Sequence, residues 1–161
     1  MSVREDAIRR ADGSVGVYGV VEKRDFAVIA AVRDQELVLV EQYRYPVKER
    51  FWELPQGTWD DESDDPVAVA KAELSEETGV SANALTHIGR LCLAYGFCTQ
   101  RYNVFLATDL EERAPRREHE EQGLICQWFT IAEVDNMIRN GTIVDASTVA
   151  ALGLIKLKGM L

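Results

Sequence analysis

The chain has 161 residues and a mass of 18.1 kDa; 47% of its residues are hydrophobic and 28% are charged. That size and balance are typical of one globular domain with a sizeable core. The net charge is −9 and the 18 basic residues are scattered, which argues against nucleic acid or an anionic membrane as a partner. A phosphate-bearing ligand would therefore need a bridging cation.

The sequence has no apolar stretch long enough to span a bilayer, and residues 1–5 lack the apolar region of a secretory signal. We therefore expect a cytoplasmic protein. No Pro-rich or Ser-rich linker, repeat or low-complexity tract divides the chain, which predicts a single domain over residues 1–161.

The first predicted elements are strands. Between residues 15 and 40 the apolar residues come in short β-branched runs, separated by glycines and by a polar triplet at residues 33–35. Such runs predict strands at residues 15–20, 26–32 and 37–40 of a mixed or antiparallel sheet.

A helix is predicted over residues 66–78. Pro66 supplies the φ angle favoured at a first helical position, and Asp64 or Asp65 could cap the helix. Gly79 fits the left-handed position that often closes a helix.

The elements after this helix complete the expected fold. Strands are predicted at residues 85–93, 101–107 and 125–129, and helices at residues 131–140 and 146–158, the last capped by Asp145. The order is sheet, helix, sheet, helices. It favours an α/β fold of the α+β type, a sandwich with a mixed central sheet, over a doubly wound fold.

Three glutamates share one face of the helix at residues 66–78. Glu73, Glu76 and Glu77 are spaced by 3 and 4 positions, so they project in one direction. We expect them at the edge of the apolar stripe that packs on the sheet. That stripe comprises Val67, Ala70 and Leu74.

This acidic face is unfavourable by itself. Like charges at these spacings repel each other, and acids in a last turn face the negative end of the helix dipole. A bound cation would reverse both effects, and Mg²⁺ prefers oxygen ligands on such a partly open face. Taken alone, however, an acidic helix face is more often only solvated.

The run WELPQGTWDDESDDPVAVAKAELSEETGV, at residues 52–80, resembles the Nudix box, G-x5-E-x7-R-E-U-x-E-E-x-G-U with U apolar. The second half matches in register, and Gly57 takes the leading position if the loop has one extra residue. Two positions depart from the pattern, because Asp64 replaces the first glutamate and Ala72 replaces the arginine. That arginine orients the metal-binding carboxylates in the family, so Lys71 or another basic residue must replace it or activity is reduced.

The flanking segments EQYRYPVKERFWELPQG and EEQGLICQWFTIAEVDNMIRNGTIVDASTVAAL resemble the ADP-ribose pyrophosphatase branch of the Nudix hydrolase superfamily. This resemblance implies a Nudix-like α/β/α sandwich. It also implies that Glu73 and Glu77 bind Mg²⁺, or Mn²⁺ in its place, with Glu76 nearby and the backbone carbonyl of Gln56 as a further donor.

The same resemblance implies further site residues. It places Arg44 and Glu53 near the substrate. An acidic loop after the box supplies a carboxylate to metal or water in the branch, and the candidates here are Glu120 and Glu121, for which a solvated loop is the alternative.

Residues 95–101 resemble the substrate loop of the branch, in which Tyr95 or Phe97 could stack on a base. Burial in the core is the commoner role of such rings. Where the branch carries a proline that marks ADP-ribose enzymes, this chain has Tyr95 and Gly96. The substrate is therefore left open among nucleoside-diphosphate sugars, dinucleoside polyphosphates and NADH.

These features predict a Mg²⁺-dependent hydrolase that cleaves the pyrophosphate bond of a nucleoside-diphosphate derivative, with ADP-ribose or another nucleoside-diphosphate sugar as the leading substrate. Glu77 is expected to be essential, and Glu76, Glu120 or Glu121 would accept the proton of the attacking water. The alternative is a non-catalytic Nudix-fold module that binds a nucleotide. Members of the branch are often homodimers with exchanged N-terminal strands, which predicts a homodimer formed through residues 15–20.

Overall fold

The computed structural model describes residues 1–58, 65–112 and 123–161. The strands within these ranges are β1 (Ser2–Arg9), β2 (Val15–Glu22), β3 (Phe26–Arg33), β4 (Glu36–Arg44), β5 (Glu49–Glu53), β6 (Gln56–Gly57), β7 (Val80–Cys92), β8 (Arg101–Glu112) and β9 (Ile125–Thr130). The helices are α1 (Pro66–Thr78), α2 (Ile131–Arg139) and α3 (Ala146–Leu157).

The central sheet is mixed, as predicted. Five strands follow the order β5, β4, β3, β8, β7, while β6 pairs with β3 and β9 pairs with β4. Strands β3 and β8 are parallel, whereas β7 and β8 are antiparallel.

Strand β3 lies inside the sheet and is covered on both faces. Val28 and Ala30 belong to the core that also contains buried residues of α2 and α3. Ala27, Ile29 and Ala31 belong to a second core, which contains Ala70 and Leu74 of α1. A strand buried on both faces carries a continuous apolar run in place of an alternating pattern. Helices therefore cover both faces of the sheet, and the predicted α/β/α sandwich is confirmed.

Helix α1 has the predicted bounds. The Asp65 side chain accepts a hydrogen bond from the backbone N–H of Val67 at 3.0 Å, so Asp65 caps the helix. Asp64, the other candidate, lies outside the described residues. Gly79 adopts a φ of 73° and closes the helix, as expected.

The buried stripe of α1 differs from the prediction. Its buried residues are Ala70, Glu73, Leu74 and Glu77, whereas Val67 is 38% exposed. The stripe therefore follows positions i, i+3, i+4 and i+7, and two of the glutamates lie within it rather than at its edge. Burial of these carboxylates is the feature that the apolar pattern alone did not indicate.

Strand β1 was not predicted, because its sequence SVREDAIR is mostly polar. Among the described strands it pairs with β2 alone, and the two form a hairpin separate from the central sheet. The hairpin is attached to the body through the loop before β8: the N–H of Val21 donates to the carbonyl of Phe97 at 2.8 Å, and that of Thr99 donates to the carbonyl of Val21 at 2.9 Å.

None of the helices in the described part of the chain is long and apolar enough to cross a membrane. The cytoplasmic location and the single domain stay predictions from the sequence.

A buried hydroxyl joins α3 to the chain segment before β6. The Thr148 hydroxyl accepts a hydrogen bond from the backbone N–H of Leu54 at 2.9 Å, and both residues are fully buried. We expect Thr148→Val to lower the free energy of unfolding by about 1–3 kcal/mol, because the Leu54 N–H loses its partner without access to water. Urea denaturation would measure this. Thr148→Ser keeps the hydroxyl and should lose clearly less; an equal loss in the two variants would assign the effect to packing.

Candidate functional site

Residues 54–57, here called the strap, contact both α1 and α3. The strap is fixed to β3 by a hydrogen bond of 2.9 Å from the N–H of Ile29 to the carbonyl of Pro55, and by pairing of Gln56 and Gly57 with that strand. It follows directly from β5 and contains β6. The two candidate metal-binding glutamates of α1 contact it.

Glu77 is held by the strap backbone. The residue is only 2% exposed, and its Oε2 accepts a hydrogen bond from the N–H of Gln56 at 3.1 Å. A backbone N–H favours the charged form of a carboxylate that accepts from it. The backbone N–H of Gln56 therefore donates to Glu77, while the backbone carbonyl of Gln56 is the predicted further metal donor.

Glu73 lies beneath Gly57. Glu73 is 8% exposed, and a Cβ atom added at Gly57 would approach its carboxylate far more closely than van der Waals contact permits. The φ angle of Gly57 is not in the left-handed region, so the position of the Glu73 carboxylate, rather than the backbone conformation, favours glycine here. This close approach gives a physical reason for the leading glycine of the box.

The third glutamate of the face, Glu76, is only partly buried. Within residues 1–58, 65–112 and 123–161, no group of three or more His, Cys, Asp and Glu side chains is arranged to hold a metal ion. The predicted catalytic candidates Glu120 and Glu121 lie outside these ranges, as does Asp64. The described part thus contains two buried carboxylates of α1 against the strap rather than a complete carboxylate cage.

A cavity of about 540 Å³ opens beside the strap. Arg44 and Glu53, predicted to lie near the substrate, both line it, and so do Gln56 and Gly57. Other lining residues that the sequence did not single out are Lys23, Phe26, Phe51, Val144, Asp145 and Ser147. The structure therefore brings the predicted substrate residues and the strap to one cavity.

Glu53 is the buried carboxylate of the cavity wall. It forms an ion pair with Arg44 and accepts a hydrogen bond from Nε2 of Gln42 at 2.8 Å. Burial raises the pKa of Glu53 above the usual glutamate range, Arg44 opposes that rise, and the negative charge of Asp145 adds to it. Arg44 itself is partly exposed, so its guanidinium can reach both Glu53 and the cavity.

Tyr95 and Phe97 are exposed and do not belong to the core. They are 86% and 57% exposed, respectively, on the loop between β7 and β8. The described residues that line the cavity include Leu93 and Gln100 near the two ends of this loop, but neither of the two aromatics. A role in stacking on a base stays a prediction.

Asp145 and Ser147, at the start of α3, are the site residues that sequence reasoning missed. Asp145 was predicted only as a helix cap, which it is: its Oδ2 accepts from the N–H of Thr148 at 2.7 Å. The side chain of Gln56 reaches both residues. Their place at the cavity depends on the docking of α3 against the strap, a contact across 91 positions that local patterns do not reveal.

An α/β/α sandwich, with two buried glutamates of a central helix held under a glycine-containing strap beside an open cavity, has the architecture of a Nudix hydrolase. The chain belongs to the NUDIX family, whose domain model matches residues 23–152. The protein is therefore a Nudix pyrophosphohydrolase, and its resemblance to the ADP-ribose pyrophosphatase branch is confirmed by the first two relatives that follow.

An ADP-ribose pyrophosphatase of Mycobacterium tuberculosis is 33% identical over 153 residues, which are 94% of this chain and 74% of that protein. An ADP-ribose pyrophosphatase of Bacillus subtilis is 29% identical and matches 82% of this chain and 71% of that protein. The crystal structure of an ADP compounds hydrolase superposes with a TM-score of 0.86 at 22% identity, covering 99% of this chain and 88% of that one. The last likeness supports the fold alone.

The contact between Gly57 and Glu73 predicts an effect on hydrolysis that exceeds the effect on folding. In Gly57→Ala the new methyl group displaces the Glu73 carboxylate, which is the end of a flexible side chain and can move at little cost in stability. We expect turnover to fall about tenfold or more, with the melting temperature nearly unchanged. Gly19→Ala is the matched control, since an added Cβ meets nothing within 4 Å there. Wild-type turnover in Gly57→Ala would show that the position of Glu73 is not critical.

The raised pKa of Glu53 predicts a pH-dependent stability. Because the folded state binds this proton more tightly than the unfolded state, the contribution of Glu53 is full below the ordinary glutamate pKa and is lost as pH rises through the raised pKa. A glutamine side chain does not titrate, so the unfolding free energy of Glu53→Gln relative to wild type should increase from pH 4 to pH 8. Urea denaturation with chelator at each pH tests this, with Glu5→Gln on the exposed hairpin as the control. If the difference in unfolding free energy between Glu53→Gln and wild type did not change with pH, the raised pKa of Glu53 would be contradicted.

Proposed function

We propose that this Nudix hydrolase cleaves the pyrophosphate bond of ADP-ribose or of another nucleoside-diphosphate sugar and depends on Mg²⁺. The observation that carries the proposal is the contact of the buried carboxylates Glu73 and Glu77 with the strap, whose residues Gln56 and Gly57 line a cavity of about 540 Å³. Pockets of a few hundred Å³ accommodate ligands of nucleotide size.

The donors at the strap fit a hard divalent cation. Glu73, Glu76 and Glu77 offer carboxylate oxygens, and Gln56 offers a backbone carbonyl oxygen; Mg²⁺ prefers such ligands, with Mn²⁺ as an alternative. The space that a Cβ at Gly57 would fill lies directly against the Glu73 carboxylate, so the strap leaves that group uncovered by a side chain. When bound, Mg²⁺ would neutralise diphosphate oxygens and polarise phosphorus.

The chain's own residues account for binding and proton transfer. Arg44, partly exposed at the cavity, can pair with a phosphate oxygen while its other contact to Glu53 holds the guanidinium in place. Glu76, or one of Glu120 and Glu121, would accept the proton of the attacking water. Glu77, whose position is fixed by the Gln56 N–H, would hold the cation beside the strap.

The choice of substrate class rests on chemistry and on relatives. Phe26 and Phe51 supply apolar surface to the cavity, whereas Arg44, Glu53 and Asp145 supply polar groups for phosphate and sugar hydroxyls. Two relatives, at 33% and 29% identity, are ADP-ribose pyrophosphatases. We therefore place ADP-ribose first, followed by other nucleoside-diphosphate sugars.

Glu77→Gln tests the proposal most directly, because glutamine keeps the volume and an acceptor for the Gln56 N–H but removes the charge. We expect at least about a hundredfold loss of nucleotide release from ADP-ribose with Mg²⁺, and no release by wild type in chelator. The panel includes other nucleoside-diphosphate sugars, dinucleoside polyphosphates and NADH. Glu5→Gln on the hairpin serves as the control and should be fully active.

The outcomes of that assay separate the alternatives. Hydrolysis by wild type that survives in Glu77→Gln would remove this residue from the mechanism. Cleavage of another compound in preference to ADP-ribose would correct the substrate class. Nucleotide binding by calorimetry with no product from any compound would favour the binding module, and Ala72→Arg would then be the first variant to assay for restored activity.

We also propose a homodimer formed through the hairpin of β1 and β2. The register pairs Val3 with Val21 and Ala7 with Val17, so these four residues share one face, and Val3 and Val17 are exposed on it. Light scattering should give twice the chain mass of 18.1 kDa for wild type and a smaller mass for Val17→Lys. Asp12→Lys, in the turn of the hairpin, is the control. A wild-type monomer at working concentration would eliminate the dimer.

A further inference from the structure

We propose that Asp145 and Ser147, at the start of α3, are positioning residues for the strap: they hold the side chain of Gln56 and thereby fix the backbone to which Glu77 and Glu73 are fitted. The inference rests on the proposed function, since its consequence is the affinity of those carboxylates for a divalent cation. Nothing in the box itself points to α3, because these residues follow the box by more than sixty positions.

The side chains of Ser147, Asp145 and Gln56 contact one another around the side-chain amide of Gln56. The Ser147 hydroxyl lies 2.8 Å from Oε1 of Gln56 and 2.6 Å from Oδ2 of Asp145, and Nε2 of Gln56 lies 3.4 Å from the same Oδ2. The hydroxyl has one proton, which it can donate to either oxygen. We call these three side chains the clasp.

The clasp acts on the strap through Gln56. The backbone N–H of this residue donates to Oε2 of Glu77, and its carbonyl is the proposed metal donor. The next residue, Gly57, is the one whose missing side chain admits the Glu73 carboxylate. A shift of Gln56 therefore changes every candidate donor that touches the strap.

Capping of α3 does not explain the clasp. The cap is complete with the bond from the Thr148 N–H to Asp145, and it would survive loss of the Ser147 hydroxyl. Alanine is also the better residue for a helix. Yet Ser147 is only 2% exposed and buries its hydroxyl against a residue 91 positions away. A buried hydroxyl needs a hydrogen-bond partner, and Gln56 provides one outside α3.

A second hydrogen bond also joins the strap to the start of α3. The Thr148 hydroxyl accepts from the N–H of Leu54, the first residue of the strap. Consecutive hydroxyls of α3 thus hold the strap at the backbone of Leu54 and at the side chain of Gln56. Outer contacts of this kind, which orient the residues that bind a metal, commonly change metal affinity about 10- to 100-fold when removed.

The test is a double-mutant cycle read by Mn²⁺ binding. Free Mn²⁺ measured by electron paramagnetic resonance gives its affinity for wild type, Ser147→Ala, Gln56→Ala and the double variant, without any turnover. We expect Ser147→Ala to weaken binding about tenfold and to have little further effect once Gln56→Ala has removed the partner. Melting temperatures in chelator, measured in parallel, report any purely structural loss.

Thr142→Ala is the matched control. Its hydroxyl also donates to a side-chain amide oxygen at 2.8 Å, in the turn before α3, but it contacts Asn140 and not the strap. Mn²⁺ affinity and hydrolysis should stay at wild-type values in this variant.

The outcomes distinguish the inference from the proposed function. Unchanged Mn²⁺ affinity in Ser147→Ala, or an equal loss with and without the Gln56 side chain, overturns the clasp while wild type still binds metal and hydrolyses its substrate. If wild type neither binds Mn²⁺ nor hydrolyses any compound of the panel, the proposed function fails first and the clasp loses its role with it.

Discussion

Glu73 and Glu77 occupy two of the four buried positions of α1, between Ala70 and the end of the helix. A buried carboxylate is unfavourable unless polar partners surround it, and the strap brings such a partner within reach. The N–H of Gln56 meets Glu77, and the bare backbone of Gly57 makes room for Glu73. The cavity, the strand pairing of β6 and the docking of α3 all depend on keeping the strap in that place.

The residues at the start of α3 both cap that helix and contact the strap. Asp145 caps the helix through the Thr148 N–H and also faces the side chain of Gln56. Its charge adds to the rise in the pKa of Glu53 across the cavity. One carboxylate thus affects the helix, the strap and the electrostatics of the cavity wall. Substitutions of Asp145 are therefore expected to have mixed effects, which a double-mutant cycle with Gln56 can separate.

Local patterns predicted what depends on local chemistry. Pro66 and Gly79 marked the helix bounds because their backbone preferences act within one turn, and continuous apolar runs marked the buried strands. The strand β1 was missed because its sequence is mostly polar, and its pairing with β2 cannot be seen in the local pattern. The buried state of Glu73 and Glu77, and the role of Ser147, could not be read from spacing, since they arise from packing between elements far apart in sequence.

The hydrogen bonds from α3 to the strap also constrain the order of folding. They join residues 91 and 94 positions apart, and contacts of such high sequence separation form late because a long loop must close first. A nascent chain that already contains α1 and the strap therefore has both glutamates and the pairing of the strap with β3, but not the contacts from α3. If those contacts form last, the strap reaches its final position only when the last helix docks.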